Sequence, residues 1–168
     1  MSVMDAIRMR ESIRKYQEKP IEPEKLDQIL EAGRLAPTAS NSQATRVVVV
    51  QDRHRIQGLV PACCDQAFIG TAAAVLVVCS SAERTMTCGQ AAATVDSSIS
   101  LSFMQLQAAE FGIGSCWIGA FHPSRVAALL DIPPEYTVVA VSPLGYPAAE
   151  GRHVPYRSMD QFVVREHF

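Results

Sequence analysis

Several kinds of signal are missing from this 168-residue sequence, and each absence removes a class of function. The longest apolar runs, such as residues 72–79, fall far short of the ~20 residues a membrane span needs. There is no polybasic tract. Lys and Arg (15) are dispersed among Asp and Glu (17), and the net charge of −2 excludes nucleic-acid binding driven by bulk charge. The five cysteines, Cys63, Cys64, Cys79, Cys88 and Cys116, contain no C-x-x-C and only one adjacent pair. Neither a disulfide framework nor a thiolate metal site is expected, and the thiols read as reduced, mostly buried small hydrophobes. The histidines, His54, His122, His153 and His167, form no H-x-x-x-H pair, so metal hydrolysis lacks ligands and they read as ordinary surface residues. A secretory h-region is absent too, because the opening residues turn charged at Arg8, Arg10 and Glu11, and a cytoplasmic protein is expected. No period of ~20 to 50 residues recurs.

Nucleotide and hydrolase fingerprints also fail. The stretch Gly112 to Gly119 begins as G-x-G, but Trp117 stands where the last glycine of a dinucleotide turn belongs, and the stretch follows a helix pattern. No P-loop is present. Ser12-Ile-Arg-Lys15 satisfies S-x-x-K without the K-T-G and S-D-N partners, and no paired carboxylates mark a glycosidase cleft.

What is present is core: 48% hydrophobic against 19% charged residues suits a single domain over 1–168. The spacing predicts a helix over 2–9 with Ser2 as N-cap and Asp5 at N3, then a basic run unsuited to a core, then a helix over 23–35 opened by Pro23. A polar loop at 37–43 leads into a buried β-branched strand at 46–51. A short helix over 54–60 ends at Pro61, a second buried strand spans 73–79, and residues 80–84 turn. Residues 87–111 read as a long helix apolar over most of its girth, buried on several sides and closed by Gly112 at C′. Asp96 stands alone in it; facing solvent, capping a strand and pairing across a dimer are all open to it. A strand candidate at 116–118, a helix at 123–130, a strand at 137–142, a turn at 144–147 and an apolar tail docking through Phe162, Val163 and Val164 complete the chain. Helices of unequal length without regular βα alternation argue α+β.

Arg10-Glu11-Ser12-Ile13-Arg14 places two guanidinium groups and a hydroxyl just after a helix, where the donor fork of Arg suits a phosphate or an anionic heterocycle; alone, it is equally a solvated basic turn. The 37–43 loop offers amides and hydroxyls for a polar ring edge, or simply makes a turn. Together, the Arg10-Glu-Ser-Ile-Arg-Lys-Tyr16 run, the Pro37-Thr-Ala-Ser-Asn-Ser-Gln-Ala-Thr45 loop, the long helix, the Gly112 to Gly119 segment, the Leu144-Gly-Tyr-Pro147 turn and Arg157 in the tail resemble the nitroreductase family of flavoproteins, in family order over nearly the whole chain.

The resemblance implies a central mixed sheet of four or five strands flanked by helices, with the long buried helix at a homodimer interface. It implies FMN as cofactor and NADH or NADPH as hydride donor, with Arg10, Ser12 and Arg157 holding the phosphate, Arg14 at the flavin's pyrimidine edge, and Glu11 among the cofactor-binding residues. A guanidinium there would stabilise the negative charge of reduced flavin and raise its potential. Pro37, Thr38, Ala39 and Asn41 would reach the flavin from the partner subunit, Gln66 would touch the pyrimidine edge, and the backbone N–H groups of Ile118 and Gly119 would face N5. No side chain is expected to act as acid or base. The implied activity is ping-pong hydride transfer from NAD(P)H to a nitroaromatic, quinone or similar conjugated small-molecule acceptor. The alternatives are a flavin-binding regulatory dimer without turnover, or a specialised dehalogenating or flavin-consuming relative. Two departures from the family pattern, Ala44-Thr45 in place of Pro-Trp and Pro155 in place of a base, imply a looser phosphate grip, and the short chain implies an open pocket.

Overall fold

A computed structural model describes residues 2–152 and 154–168; His153 lies outside the described residues. Ser2 opens α1 (Val3–Met9) through a capping box: its hydroxyl oxygen accepts the Asp5 N–H at 3.2 Å, and the Asp5 carboxylate accepts the Ser2 N–H at 2.9 Å. Pro23 starts α2 (Pro23–Arg34), which buries Leu26, Ile29 and Gly33.

The centre is β2 (Ala74–Ser80), buried at every position. It lies between β1 (Thr45–Val50) and β4 (Thr137–Gly145), and β3 (Gly114–Ser115) adds beyond β4. Every ladder is antiparallel, which corrects the expected mixed sheet. Between β1 and β2, α3 (Arg53–Ala62) and a 3-10 turn (Ala67–Thr71) form a wide hairpin connection, not a parallel crossover. The parallel element among the described residues shrinks to one bridge, Ser12 with Ser115. Period-two alternation in β2 sends Val75 and Val77 into a core with Ile56, Leu59 and Val126, and Leu76 and Val78 into a second core with Ile29, Leu101 and Met104. The sheet is therefore sandwiched between α3 with α5 (Pro123–Leu129) and α2 with α4 (Ala92–Glu110).

Several boundaries differ from the sequence reading. The long helix starts at Ala92, because Met86 donates to the Gln90 carbonyl at 2.8 Å in a turn that uses Gly89 at φ 86°. Its end agrees: Gly112 (φ 67°) donates to Ala109 and Ile113 to Ala108, a Schellman closure. Pro61 sits inside the last turn of α3, where the missing N–H costs one terminal bond. The 116–118 strand is displaced to Gly114–Ser115, with only Ile118 bridging to Val141, and β4 runs on through Leu144 and Gly145. β1 is an edge strand and only partly buried. The basic run is anchored in the core after all, by buried Ile13 and Tyr16. The tail forms α6 (Met159–Phe162), but Tyr156, Met159, Phe162 and Val164 are exposed and do not dock on their own chain. Among the described residues no helix is long and apolar enough to cross a membrane.

Candidate functional site

The 10–16 segment bridges β3 through Ser12 with Ser115, and the turn just after β4 through Tyr16 with Pro147. Ile13 N–H donates to the Ser115 carbonyl at 2.9 Å, and the buried Tyr16 hydroxyl donates to the Ile13 carbonyl at 2.7 Å. Burial pushes the Tyr16 phenol up and keeps it a donor. Close approach is possible because Gly114 has no side chain: a Cβ there would lie 2.6 Å from Ile13 Cγ1. With Ile13 turned inward, Arg10, Ser12 and Arg14 line a cavity of about 490 Å³ together with Arg8, Glu11, Arg152 and the 154–156 tail segment. Beneath them, burial raises the Cys116 thiol, opposed by Arg14, Ser12 and Arg10.

Glu11 is the carboxylate on this cationic wall, and its Oε2 accepts the Gly151 N–H at 3.1 Å. A Cβ on Gly151 would meet that oxygen at 2.6 Å. Glu11 thus fastens the irregular segment that delivers Arg152, rather than offering an unpaired carboxylate to a ligand. Arg152 lines this wall although the sequence does not single it out; Arg157, the tail base that the resemblance implies, is not among the residues lining this cavity. Its only signal was the Gly151-Arg152 pair shortly after Leu144-Gly-Tyr-Pro147.

The expected donors at 118–119 divide. Ile118 is buried; its N–H donates to the Val141 carbonyl at 2.8 Å and its carbonyl accepts the Val141 N–H at 3.3 Å, so a ladder bond already uses that donor. Gly119 is exposed, its N–H meets no acceptor among the described residues, and an added Cβ would meet nothing within 4 Å. Nothing among the described residues demands glycine there. Gln66 Nε2 donates to the Cys63 carbonyl at 2.9 Å and to the Ala120 carbonyl at 3.1 Å, which pins this segment to the end of α3.

The 37–43 loop is strained and heavily tethered. Ser40, Asn41 and Gln43 have φ of 53°, 54° and 50°, a left-handed conformation that costs such residues on the order of 1 kcal/mol or more each. Thr38 Oγ1 accepts the Gln43 N–H at 3.1 Å, and Arg84 donates to Ser40 Oγ at 2.7 Å. Asp96, 2% exposed on α4, accepts the Ala39 N–H at 3.0 Å and the Ser42 hydroxyl at 3.4 Å, which settles its role within the chain. Thr38 and Gln43 line a separate cavity of about 440 Å³ with Arg34 and Ser100; one copy does not bring Pro37, Thr38, Ala39 or Asn41 to the arginine wall.

The class is an α+β fold whose antiparallel sheet carries an arginine-lined cavity, with no cluster of metal-ligating side chains among the described residues. The nitroreductase family model matches residues 7–82 and 62–146. An NADH dehydrogenase of Thermus thermophilus is 32% identical over 84% of this chain and 85% of its own length, and an FMN reductase [NAD(P)H] of Bacillus subtilis is 28% identical over 91% and 69%. An FMN-dependent nitroreductase of Clostridium difficile superposes with a TM-score of 0.84 at 28% identity, covering 98% of this chain and 99% of its own. The chain belongs to the nitroreductase family.

Proposed function

We propose that this protein is an FMN-dependent oxidoreductase that carries hydride from NAD(P)H to a nitroaromatic, quinone or similar conjugated acceptor in a ping-pong cycle. The coarser statement, an NAD(P)H-dependent oxidoreductase, follows from the family and its relatives. The observation that carries the finer one is the gathering of Arg8, Arg10, Arg14 and Arg152 with Ser12 round one cavity. The residues fit the cofactor: a phosphate dianion and an electron-rich ring both need such donors, and charge-assisted bonds from guanidinium are the strong ones. Arg10, Ser12, Arg14 and Arg152 would hold FMN, and FMN would supply the two-electron hydride exchange between NAD(P)H and the acceptor.

The chain's own residues bind and orient. Arg10, Ser12 and Arg152 would hold the phosphate, with Glu11 fixing Arg152 in place. Arg14 would lie by the pyrimidine edge, where its fixed charge favours the reduced state. Gly119 would present an unspent N–H on a face open to close approach, and Gln66 would hold that face still. Pro37, Thr38, Ala39 and Asn41 would complete the pocket from a second copy, making the working unit a homodimer. The five thiols are all free, which suits a reducing cytoplasm.

The test is a visible absorption scan of purified protein supplied with FMN, then NAD(P)H, then acceptor. Yellow colour bleached by NAD(P)H and restored by acceptor, with parallel double-reciprocal plots, is the expected result. Yellow colour that NAD(P)H leaves unchanged would make the protein a flavin-binding regulator, and no retained FMN would overturn both readings.

A further inference from the structure

Helix α4 is apolar enough to be read as a plain core helix, yet besides Gln105, which donates to Ser142 Oγ, it buries three polar side chains within little more than one turn: Asp96, Ser97 and Ser100. All three are used on the connection from α2 to β1. Ser100 Oγ donates to the Gly33 carbonyl at 2.9 Å near the start of that connection. Asp96 takes the Ala39 N–H and the Ser42 hydroxyl at its apex. Ser97 Oγ lies 3.5 Å from Thr45 Oγ1 at its end. A rigid helix thus acts as a template for a loop whose left-handed Ser40, Asn41 and Gln43 would relax if released. A buried carboxylate is a costly way to pack a helix and a strong way to hold a backbone N–H, because a bond to a charged acceptor is about twice as strong as a neutral one.

We propose that Asp96 is a positioning residue that presets residues 38–43 for a flavin seated on the arginine wall of a second copy. The inference rests on the function proposed above and deepens it: Asp96 touches no flavin and acts through the loop, in the copy opposite to Arg10, Ser12, Arg14 and Arg152. Its geometry on one chain is that the tethered loop and the arginine cavity share no lining residue.

The test compares FMN dissociation constants, amide exchange of the apoprotein and FMN stoichiometry. Asp96→Ala is expected to weaken FMN binding at least about tenfold, the scale of a lost charge-assisted bond. Exchange should accelerate at Ala39 and Gln43 but not along α4. Asp96→Asn, which keeps the side chain's shape and one acceptor oxygen, should lie between wild type and Ala; if Asp96→Ala does not fold, a severalfold loss in Asp96→Asn decides the matter. Dimers of Arg10→Ala and of Asp96→Ala, each with weakened sites, are then mixed and re-equilibrated. A mixed dimer would hold one intact site and one doubly damaged site, so about one FMN per mixed dimer should bind with wild-type affinity. Wild-type affinity in Asp96→Asn and Asp96→Ala overturns the proposal, as does faster exchange spread over the whole chain. Mixed dimers without a restored site remove the action across copies. Failure of the wild-type protein to bind FMN at all is a different outcome, and it refutes the function proposed above instead.

Discussion

Gly114 and Gly119 lie five residues apart in one segment, and the structure gives them opposite prognoses on substitution by alanine. A Cβ at Gly114 would sit 2.6, 2.8 and 2.9 Å from Cγ1, Cβ and Cγ2 of Ile13. These are the near atoms of a β-branched side chain, on a residue whose N–H is bonded to Ser115, so rotation cannot clear the clash. Overpacking of this kind costs about 1–3 kcal/mol, and the smaller unfolded-state entropy of alanine returns about 0.4–1 kcal/mol. The net loss is at most about 2.6 kcal/mol and about 1.3 kcal/mol at mid-range, a fall of roughly 3–5 °C in Tm for a chain of this size. Because Ile13 stands between Ser12 and Arg14, the displaced segment should also lose FMN affinity. At Gly119 the same methyl meets nothing within the chain, and the backbone is not left-handed. Gly119→Ala should leave the apoprotein as stable as wild type or more stable by about 0.4–1 kcal/mol, while FMN binding weakens because the ring can no longer approach. Melting followed by circular dichroism, at one fixed protein concentration because dimers melt concentration-dependently, gives the first quantity, and quenching of FMN fluorescence gives the second. A Gly114→Ala protein that melts at or above wild type would refute the packing argument. A Gly119→Ala protein with undiminished affinity would remove the flavin from that face.

Arg10→Ala should lose charge-assisted bonds of about 1.5–3 kcal/mol, a roughly tenfold to hundredfold weaker FMN complex by calorimetric titration; unchanged affinity takes Arg10 out of the site. Arg152→Ala should weaken FMN more than Arg157→Ala does, and the reverse order would return the tail base to its expected position. In acid, the Tyr146 hydroxyl donated to Glu22, with Lys25 beside it, holds the Glu22 carboxyl down at about 2, below its ordinary 4.5. A lowered folded-state value means stability fully present above pH 4.5 and lost as pH falls toward 2; urea unfolding across that window should show a shallower loss in Tyr146→Phe. In alkali, burial raises the Cys63 and Cys79 thiols from 9.0 to about 11, so the folded protein keeps protons that the unfolded chain releases. Stability should be intact below pH 9 and decline between pH 9 and 11, with a smaller slope in Cys79→Ala.

Features decided by near neighbours in the chain were legible in the sequence. The Ser2–Asp5 box, Pro23 at the head of α2, the apolar β2 and the Gly112 closure each need only a few adjacent residues, and each stands where expected. What failed was set by distant partners. A β-branched run reads the same whether it lies at the middle or the edge of a sheet, so the exposure of β1 is hidden until β1 is seen to pair on one side only, with β2. The sheet's direction was hidden too, because a helix between two strands suggests a crossover although a wide hairpin also accommodates one.

The site was half legible for the same reason. Arg10, Ser12 and Arg14 share one extended segment, and alternation alone sends them to one side of it. The partners of Arg152 and Asp96 carry no local sign: Arg152 reaches the wall beside a Gly151 that Glu11 holds from 140 positions away, and Asp96 meets the Ala39 N–H because its helix passes under a loop 57 positions earlier. Still less legible is an engaged donor. Ile118 and Gly119 are adjacent backbone amides, and only the Val141 carbonyl tells them apart. The same logic reaches beyond one copy. On its outer side α4 leaves Phe103 41% exposed, and the tail leaves Tyr156 and Phe162 largely open. Apolar surface on that scale is stabilised when a second copy covers it. The proposed dimer would therefore bring together two half-sites, each held in shape beforehand: the arginine wall by Glu11 and Ile13, the loop by Asp96. Preorganisation of both halves keeps the ordering cost of binding low, so the loop's strain is met during folding and not when the cofactor arrives.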